Sequence, residues 1–329
     1  MGTDQVAGVQ ERAPAVRPAP RQLRKSLRTD FNPSFKLRLI RSAFRLRQAS
    51  HLPALALGAR LHEPIFIIGA PRSGTSLLYA ILRDSSQLAH WPGEAHEVWE
   101  ADYHPAMREW ESNALGASDL TPRAASRIRS QFFLTAGPRK RLVDKTPRNS
   151  LRVDFVNALF PDARFVFLQR DGRDNINSLI NAWRTPRYRT YRLPSPHSIP
   201  DTDPNWWKFV LYAGWRDDCR GPLETVAAKQ WKICNERALE TLDTLGESRW
   251  IGMRYERLIE NSEEETQQVS EFLGLDFDDR LRAAARARVA VPINTVTPPE
   301  AGKWRRENPQ QIDSILPLIA STMEALGYR

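Results

Sequence analysis

Arg72, Ser73, Thr75 and Ser76 crowd a short break in an otherwise apolar stretch, within and just beyond the pair Gly69 and Gly74. A cation, three hydroxyls and glycine-exposed backbone N–H groups at that density suit the holding of an anion, a phosphate above all. Further along, Trp91-Pro-Gly-Glu94-Ala-His96-Glu97-Val-Trp99 gathers two carboxylates and an imidazole in a Pro/Gly loop, a grouping suited to proton transfer. His90, His96 and Glu97 invite a metal reading, but their spacing matches no familiar ligand pattern and no metal is expected. The plain alternatives are a strand-to-helix turn for the first group and solvated loop polars for the second. Hydroxyls packed beside Arg72 favour the anion cradle.

The elements that would position these groups can be traced in order. Ile65 to Ile68 is a wholly apolar run that reads as a buried strand, and Thr75 to Arg83 resumes with Leu77, Leu78, Ile81 and Leu82 at helical spacing. Strand, glycine-bounded loop and helix aim backbone N–H groups at a bound anion. The spacing Gly69-x4-Gly74 matches a nucleoside-triphosphate loop, except that Thr75 stands where that motif has its lysine. Arg141 to Pro147 is a short strand with Lys145 near its carboxyl end, the edge where open α/β sheets bind ligands. A helix is predicted over 150–159, then a strand over Arg164 to Gln169 running into Arg170-Asp171-Gly172-Arg173-Asp174, then a helix from Asn175 carrying Ser178. Arg170 directly before Asp171 opposes a magnesium-binding role for that acid. The alternation of strands and helices implies a parallel sheet with right-handed crossovers.

Around this body lie three other features. The formal net charge of +9 is confined to residues 1–60, which hold twelve Lys/Arg against Asp4, Glu11 and Asp30, leaving 36 basic and 36 acidic residues beyond. A body without its own basic excess argues against nucleic-acid binding. Residues 1–33 have the composition of a disordered tail, and 34–48 read as a basic amphipathic helix that either lies on an anionic membrane or packs on the domain; 1–50 is accordingly set apart from a catalytic domain over 60–329. Residues 183–231 carry Trp183, Tyr188, Tyr191, Trp206, Trp207, Tyr212, Trp215 and Trp231 among prolines and arginines, and read as a lid or acceptor pocket, with a packed subdomain as the alternative. Two cysteines, Cys219 and Cys234, and no apolar N-terminal run point to a reducing, cytoplasmic setting.

Taken together, the segments resemble the sulfotransferase superfamily, whose donor is 3′-phosphoadenosine 5′-phosphosulfate. Pro71 to Ser76 is similar to its 5′-phosphosulfate loop in the Arg form of the tyrosylprotein and many bacterial members. Arg170 to Ser178 resembles its 3′-phosphate segment, in which an Arg and a Ser grip the phosphate. Arg254-Tyr255-Glu256-Arg257-Leu258 is similar to the segment near the adenosine, and Gly302-Lys303-Trp304-Arg305 to the loop that closes over the 3′-phosphate. The resemblance implies an α/β, P-loop-like three-layer sandwich with a central parallel sheet and helices on both faces. It implies sulfuryl transfer to a hydroxyl of a carbohydrate, lipid, phenol or peptide, with donor contacts from Arg72, Ser73, Gly74, Thr75, Ser76, Arg170, Ser178, Tyr255, Lys303, Trp304 and Arg305. Lys145-Thr146-Pro147 departs from the Lys-Thr-His of the small-molecule branch, so the base of that branch is missing. Gly93-Glu94 matches the Gly-Glu of the tyrosylprotein branch, which makes Glu94 the expected base beside Arg72 and Lys145, with His96 and Glu97 in reserve. A P-loop kinase and a non-catalytic nucleotide-binding protein are the competing readings. Expected partners are the acceptor, an anionic membrane for the basic segment and a second copy in a homodimer, with no nucleic acid.

Overall fold

Ile65, Phe66, Ile67 and Ile68 are all buried, and they alternate in the core they enter. Phe66 and Ile68 pack with Trp99, Phe132 and Trp183, whereas Ile65 and Ile67 pack with Leu78, Val166 and Val269. A strand whose successive side chains point to opposite faces needs apolar cover on both. That need produces three layers: helices, sheet, helices. The computed structural model describes residues 44–291, 293 and 300–329, so the expected tail and all but the end of the 34–48 segment lie outside the described residues.

In chain order the elements are α1 (Leu52–Ala56), β1 (Ile65–Ile68), α2 (Thr75–Leu82), β2 (Leu88–His90), α3 (His96–Trp99), α4 (Pro122–Ala136), β3 (Arg141–Asp144), α5 (Val153–Leu159) and β4 (Arg164–Gln169). There follow α6 (Gly172–Arg184), the hairpin β5 (Arg189–Arg192) and β6 (Trp206–Lys208), α7 (Leu223–Leu242), β7 (Trp250–Arg254), α8 (Tyr255–Glu260), α9 (Ser262–Leu273), α10 (Asp279–Val289), α11 (Trp304–Glu307) and α12 (Pro309–Ala325). The main sheet has the order β2-β3-β1-β4-β7 and is parallel throughout. Its strands therefore all end at one edge, and β1 stands between β3 and β4.

The helices begin where local chemistry directs. Thr121 caps α4 by accepting from the Ala124 N–H at 3.2 Å, and Pro122 occupies the first turn, where no N–H is missed. Asp171 caps α6 in the same way through the Arg173 N–H, so this helix starts at Gly172, three residues before the Asn175 expected. The segment expected as one helix over 150–159 is a 3-10 turn, Pro147–Leu151, followed by α5. β2 and the β5–β6 hairpin were not anticipated; both are short, and short strands leave little periodic signal.

The aromatic segment proves to be core for most of its members. Trp183, Tyr191, Trp207, Tyr212, Trp215 and Trp231 are buried, and only Tyr188 and Trp206 of the eight are partly exposed. Most of the polar tips are satisfied inside: Trp183 donates to Gln230 at 3.0 Å, Trp207 to the Val210 carbonyl at 2.8 Å and Tyr212 to Asp218 at 2.8 Å. Paired tips let these large rings supply burial without stranding polar groups. Among the described residues, no helix is long and apolar enough to cross a membrane.

Candidate functional site

Each of the five strands of the main sheet delivers a residue of interest just past its carboxyl end. β1 runs into Gly69 to Gly74, β2 into the Trp91 to Glu94 turn, β3 into Lys145, β4 into Arg170 and β7 into Tyr255. Their convergence follows from the parallel order, which brings all five turns to one edge.

The loop after β1 is shaped by close approach. Gly69 has φ 155° and a Cβ there would lie 2.4 Å from the Leu168 carbonyl oxygen; Gly74, at φ 99°, would drive one to 2.2 Å from the Tyr255 ring. Ser150 clasps the loop's first residue, accepting from the Gly69 N–H at 2.9 Å and donating to its carbonyl at 2.8 Å. Asn175 donates to the Pro71 carbonyl at 2.8 Å and Arg170 to the Arg72 carbonyl at 3.0 Å. Arg72 is the strained member, a non-glycine residue at φ 72°. Its Nε donates to Ser178 Oγ at 3.2 Å, which joins the loop to α6. Burial depresses the Arg72 pKa, against the neighbouring Tyr188.

The second segment follows β4. The Arg170 guanidinium lies 4.6 Å over the Tyr255 ring, and the same ring fills the space beside Gly74. Arg170, Tyr255 and the loop therefore form one packed unit. Asp174 accepts from the backbone N–H groups of Gly302 at 2.7 Å and Trp304 at 3.4 Å, docking the C-terminal loop on α6. Lys303 pairs with Glu307 at 3.2 Å, and Glu307 accepts from Asn177 and Asn181 at 2.9 and 2.6 Å. Arg305 lies 4.8 Å over Trp304, and these two help line a cavity of about 400 Å³ with Arg173, Arg254 and Tyr328.

The third group lies after β2 and β3. Lys145, nearly buried, donates to Ser76 Oγ at 3.1 Å and to a carboxylate oxygen of Glu94. The other carboxylate oxygen of Glu94 is 2.6 Å from His96 Nε2. Burial alone would raise the Glu94 pKa, but Lys145 and the His96 hydrogen bond outweigh it and hold the carboxyl well below its ordinary range. Burial and the Arg148 charge push the His96 pKa down against the pull of Glu94. The turn is held by Tyr79, whose hydroxyl donates to the Trp91 and Gly93 carbonyls at 3.0 and 3.4 Å. Beneath it Asp144 accepts from Trp99, Thr146 and Asn149 at 3.1, 3.2 and 3.0 Å, and burial raises its pKa to about 6.

Two adjacent cationic turns, a lysine beside the first of them and a carboxylate–imidazole pair beyond it make a site for moving an anionic group to an ionisable acceptor. The description of the matching family model is Sulfotransferase family, and it covers residues 64–279. The chain belongs to this family. Protein-tyrosine sulfotransferase A of Caenorhabditis elegans is 23% identical over 290 residues, covering 80% of this chain and 67% of the worm protein. Nodulation protein NoeE of Sinorhizobium fredii is 29% identical over 224 residues, covering 64% of this chain and 50% of that protein. Sulfotransferase STF9 from Mycobacterium avium shares the fold at a TM-score of 0.59 and 14% identity, covering 87% of this chain and 82% of that one.

In this sulfotransferase the structure brings Arg72, Ser73, Gly74, Thr75, Ser76, Lys145, Glu94, Arg170, Ser178 and Tyr255 into one linked cluster, while Lys303, Trp304 and Arg305 reach it through α6. Of the two reserves, His96 is inside the network and Glu97 is exposed; His90, named only for the metal reading, has its Nδ1 against the Trp91 carbonyl. Residue spacing passed over Tyr79, Ser150, Asp174 and Glu307, and named Tyr188 only among the aromatics of 183–231. Asp174 was visible in Arg170 to Asp174 as an unassigned acid; the others act on partners remote in sequence.

Proposed function

We propose that this sulfotransferase moves the sulfuryl group of 3′-phosphoadenosine 5′-phosphosulfate to a hydroxyl of a carbohydrate, lipid, phenol or peptide acceptor. The observation that carries this reading is the position of Lys145, bonded at once to Ser76 of the cradle helix and to Glu94. Two buried atoms support the double-phosphate character of the donor: among the described residues, Ser73 Oγ and Arg170 Nε have no hydrogen-bond partner. Other buried side-chain atoms, Trp231 Nε1 and Thr266 Oγ1 among them, share that state, so the support comes from where these two lie, in the turns after β1 and β4.

In this scheme Arg72, the loop N–H groups and α2's N-terminus hold the 5′-phosphosulfate, and Arg170, Ser178, Lys303 and Arg305 take the 3′-phosphate. Tyr255 and Trp304 wall the nucleoside. The acceptor oxygen bonds to sulfur as the bond from sulfur to the 5′-phosphate oxygen breaks; the acceptor proton passes to Glu94. Lys145 then has two tasks. While paired to Glu94 it keeps the carboxylate ionised; turning to the leaving phosphate, it stabilises the new charge there and leaves Glu94 a stronger base.

Calorimetry with 3′-phosphoadenosine 5′-phosphate in the presence of a chelator tests the donor assignment. Tight binding is expected; binding of magnesium ATP with no affinity for the bisphosphate would establish the kinase reading instead. Identification of a labelled product from a cell extract incubated with labelled donor would name the acceptor. On that acceptor, Glu94→Gln is expected to lower kcat by about 10²- to 10⁴-fold with donor affinity kept, and unaltered turnover would remove Glu94 as the base.

A further inference from the structure

Seven non-glycine residues among those described have positive φ, and three of them follow one another in contact, Arg72 at 72° on Tyr188 at 62° and Tyr188 on Phe209 at 61°. Left-handed backbone is unfavourable for aromatic side chains and persists only where the surroundings enforce it. The Arg72 guanidinium lies 5.0 Å from the Tyr188 ring centroid and is hydrogen-bonded by that side chain. Phe209 stacks on Tyr188 with centroids 5.5 Å apart and planes 29° off parallel.

The enforcement comes from the hairpin. Tyr188 immediately precedes β5 and Phe209 immediately follows β6, so the stacked pair closes the hairpin's base. The Phe209 N–H donates to Thr190 Oγ1 at 2.8 Å. Next to it Lys208, fully buried, donates to the carbonyls of Ala182 at 3.1 Å, Trp183 at 2.7 Å and Thr185, at the carboxyl end of α6. An ammonium there satisfies terminal carbonyls and the helix dipole together. The same α6 carries Ser178, the other partner of Arg72. Arg72 is thus held from two sides, by Ser178 and by Tyr188, and both holders are fixed to one helix.

We propose that Tyr188, backed by Phe209, is a positioning residue for Arg72. The ring and hydroxyl hold the guanidinium where it meets the phosphosulfate, and the strained backbone at 188 is the local consequence of that placement. The inference rests on the donor assignment made above. It sets Tyr188 apart from the remaining aromatics of the segment, most of which are core.

The left-handed backbone supplies a clean test, because glycine adopts that conformation without strain. Melting temperature and the dissociation constants for the phosphosulfate donor and for 3′-phosphoadenosine 5′-phosphate are measured in wild type, Tyr188→Phe, Tyr188→Gly, Arg72→Ala and the double variant Arg72→Ala/Tyr188→Gly. Tyr188→Gly is expected to weaken donor binding roughly tenfold, as loss of a desolvated cation–π contact and its hydrogen bond would, and Tyr188→Phe to restore most of it. In the Arg72→Ala background the same glycine substitution is expected to change nothing further, since the residue acts through Arg72. A wild-type affinity in Tyr188→Gly, or an undiminished effect of the glycine when Arg72 is already gone, would overturn the inference while leaving the donor assignment standing. Absence of bisphosphate binding by the wild-type chain would overturn the donor assignment and this inference with it.

Discussion

The turns after β1 and β4 leave neighbouring parallel strands and each opens a helix, yet they are built on opposite principles. The first is enforced by shape: Gly69 and Gly74 fit because a Cβ would strike the Leu168 carbonyl and the Tyr255 ring. The second is held by charge. Asp171 accepts from the Arg173 N–H and from the Nε and Nη2 of its guanidinium, while the Asp171 N–H donates to Glu256 at 3.0 Å. A shape-enforced turn brings backbone N–H groups close to a ligand and has little freedom to reorganise. A charge-held turn presents long cationic side chains at some distance. The first suits the end of a donor where charge develops during transfer, and the second suits a phosphate whose charge stays constant.

That contrast predicts a division of kinetic effects. Arg72→Ala is expected to lower kcat by about 10²- to 10³-fold at saturating donor, the scale for removing a group aimed at developing charge. Arg170→Ala is expected to weaken bisphosphate binding by about 1.5–3 kcal/mol in calorimetry while leaving kcat nearly intact. Equal effects on both parameters in both variants would erase the distinction. On stability, Gly74→Ala should cost about 1–3 kcal/mol in urea unfolding, since Tyr255 must move. Asp171→Ala, which removes a cap, should cost about 1 kcal/mol; a larger loss at Asp171 than at Gly74 would show that charge holds the second turn more strongly than shape holds the first.

The smallest effect concerns pH. Asp144, below Lys145 at the end of β3, has its folded pKa raised to about 6 by burial. The folded state then binds more protons than the unfolded one between the ordinary carboxyl pKa and about 6, so its stability contribution is complete below that window and lost as pH rises through it. Wild type should therefore lose stability relative to Asp144→Asn from pH 4 to pH 7, read from urea midpoints at each pH. A difference that stays flat across the window would show Asp144 to be ionised throughout.

Much of the site was legible along the chain because glycine spacing, a hydroxyl cluster and strand-end cations are local signals. Arg72, Ser73, Thr75 and Ser76 announce an anion cradle within one strand–loop–helix unit, and β1, β3 and β4 are apolar enough to be read singly. The aromatic segment was not legible. A tryptophan in a proline-rich stretch has the same local pattern whether it lines a pocket or fills a core, and Trp207 and Tyr188, one buried and one lying on Arg72, differ only in what folds against them. The edge strand β2 escaped for a related reason: three residues give no period, and their pairing with β3 is nonlocal.

The sequence by itself determined a parallel α/β sheet with a glycine-bounded, hydroxyl-rich turn after its first strand, since apolar runs and such a turn are consequences of neighbouring residues. Tertiary structure alone decided that Lys145 joins Ser76 to Glu94, that Tyr255 serves both Gly74 and Arg170, and that Tyr188 and Ser178 share Arg72. The physical reason is the parallel strand order. It gathers five turns, far apart along the chain, at one sheet edge, where contacts depend on which strand lies beside which.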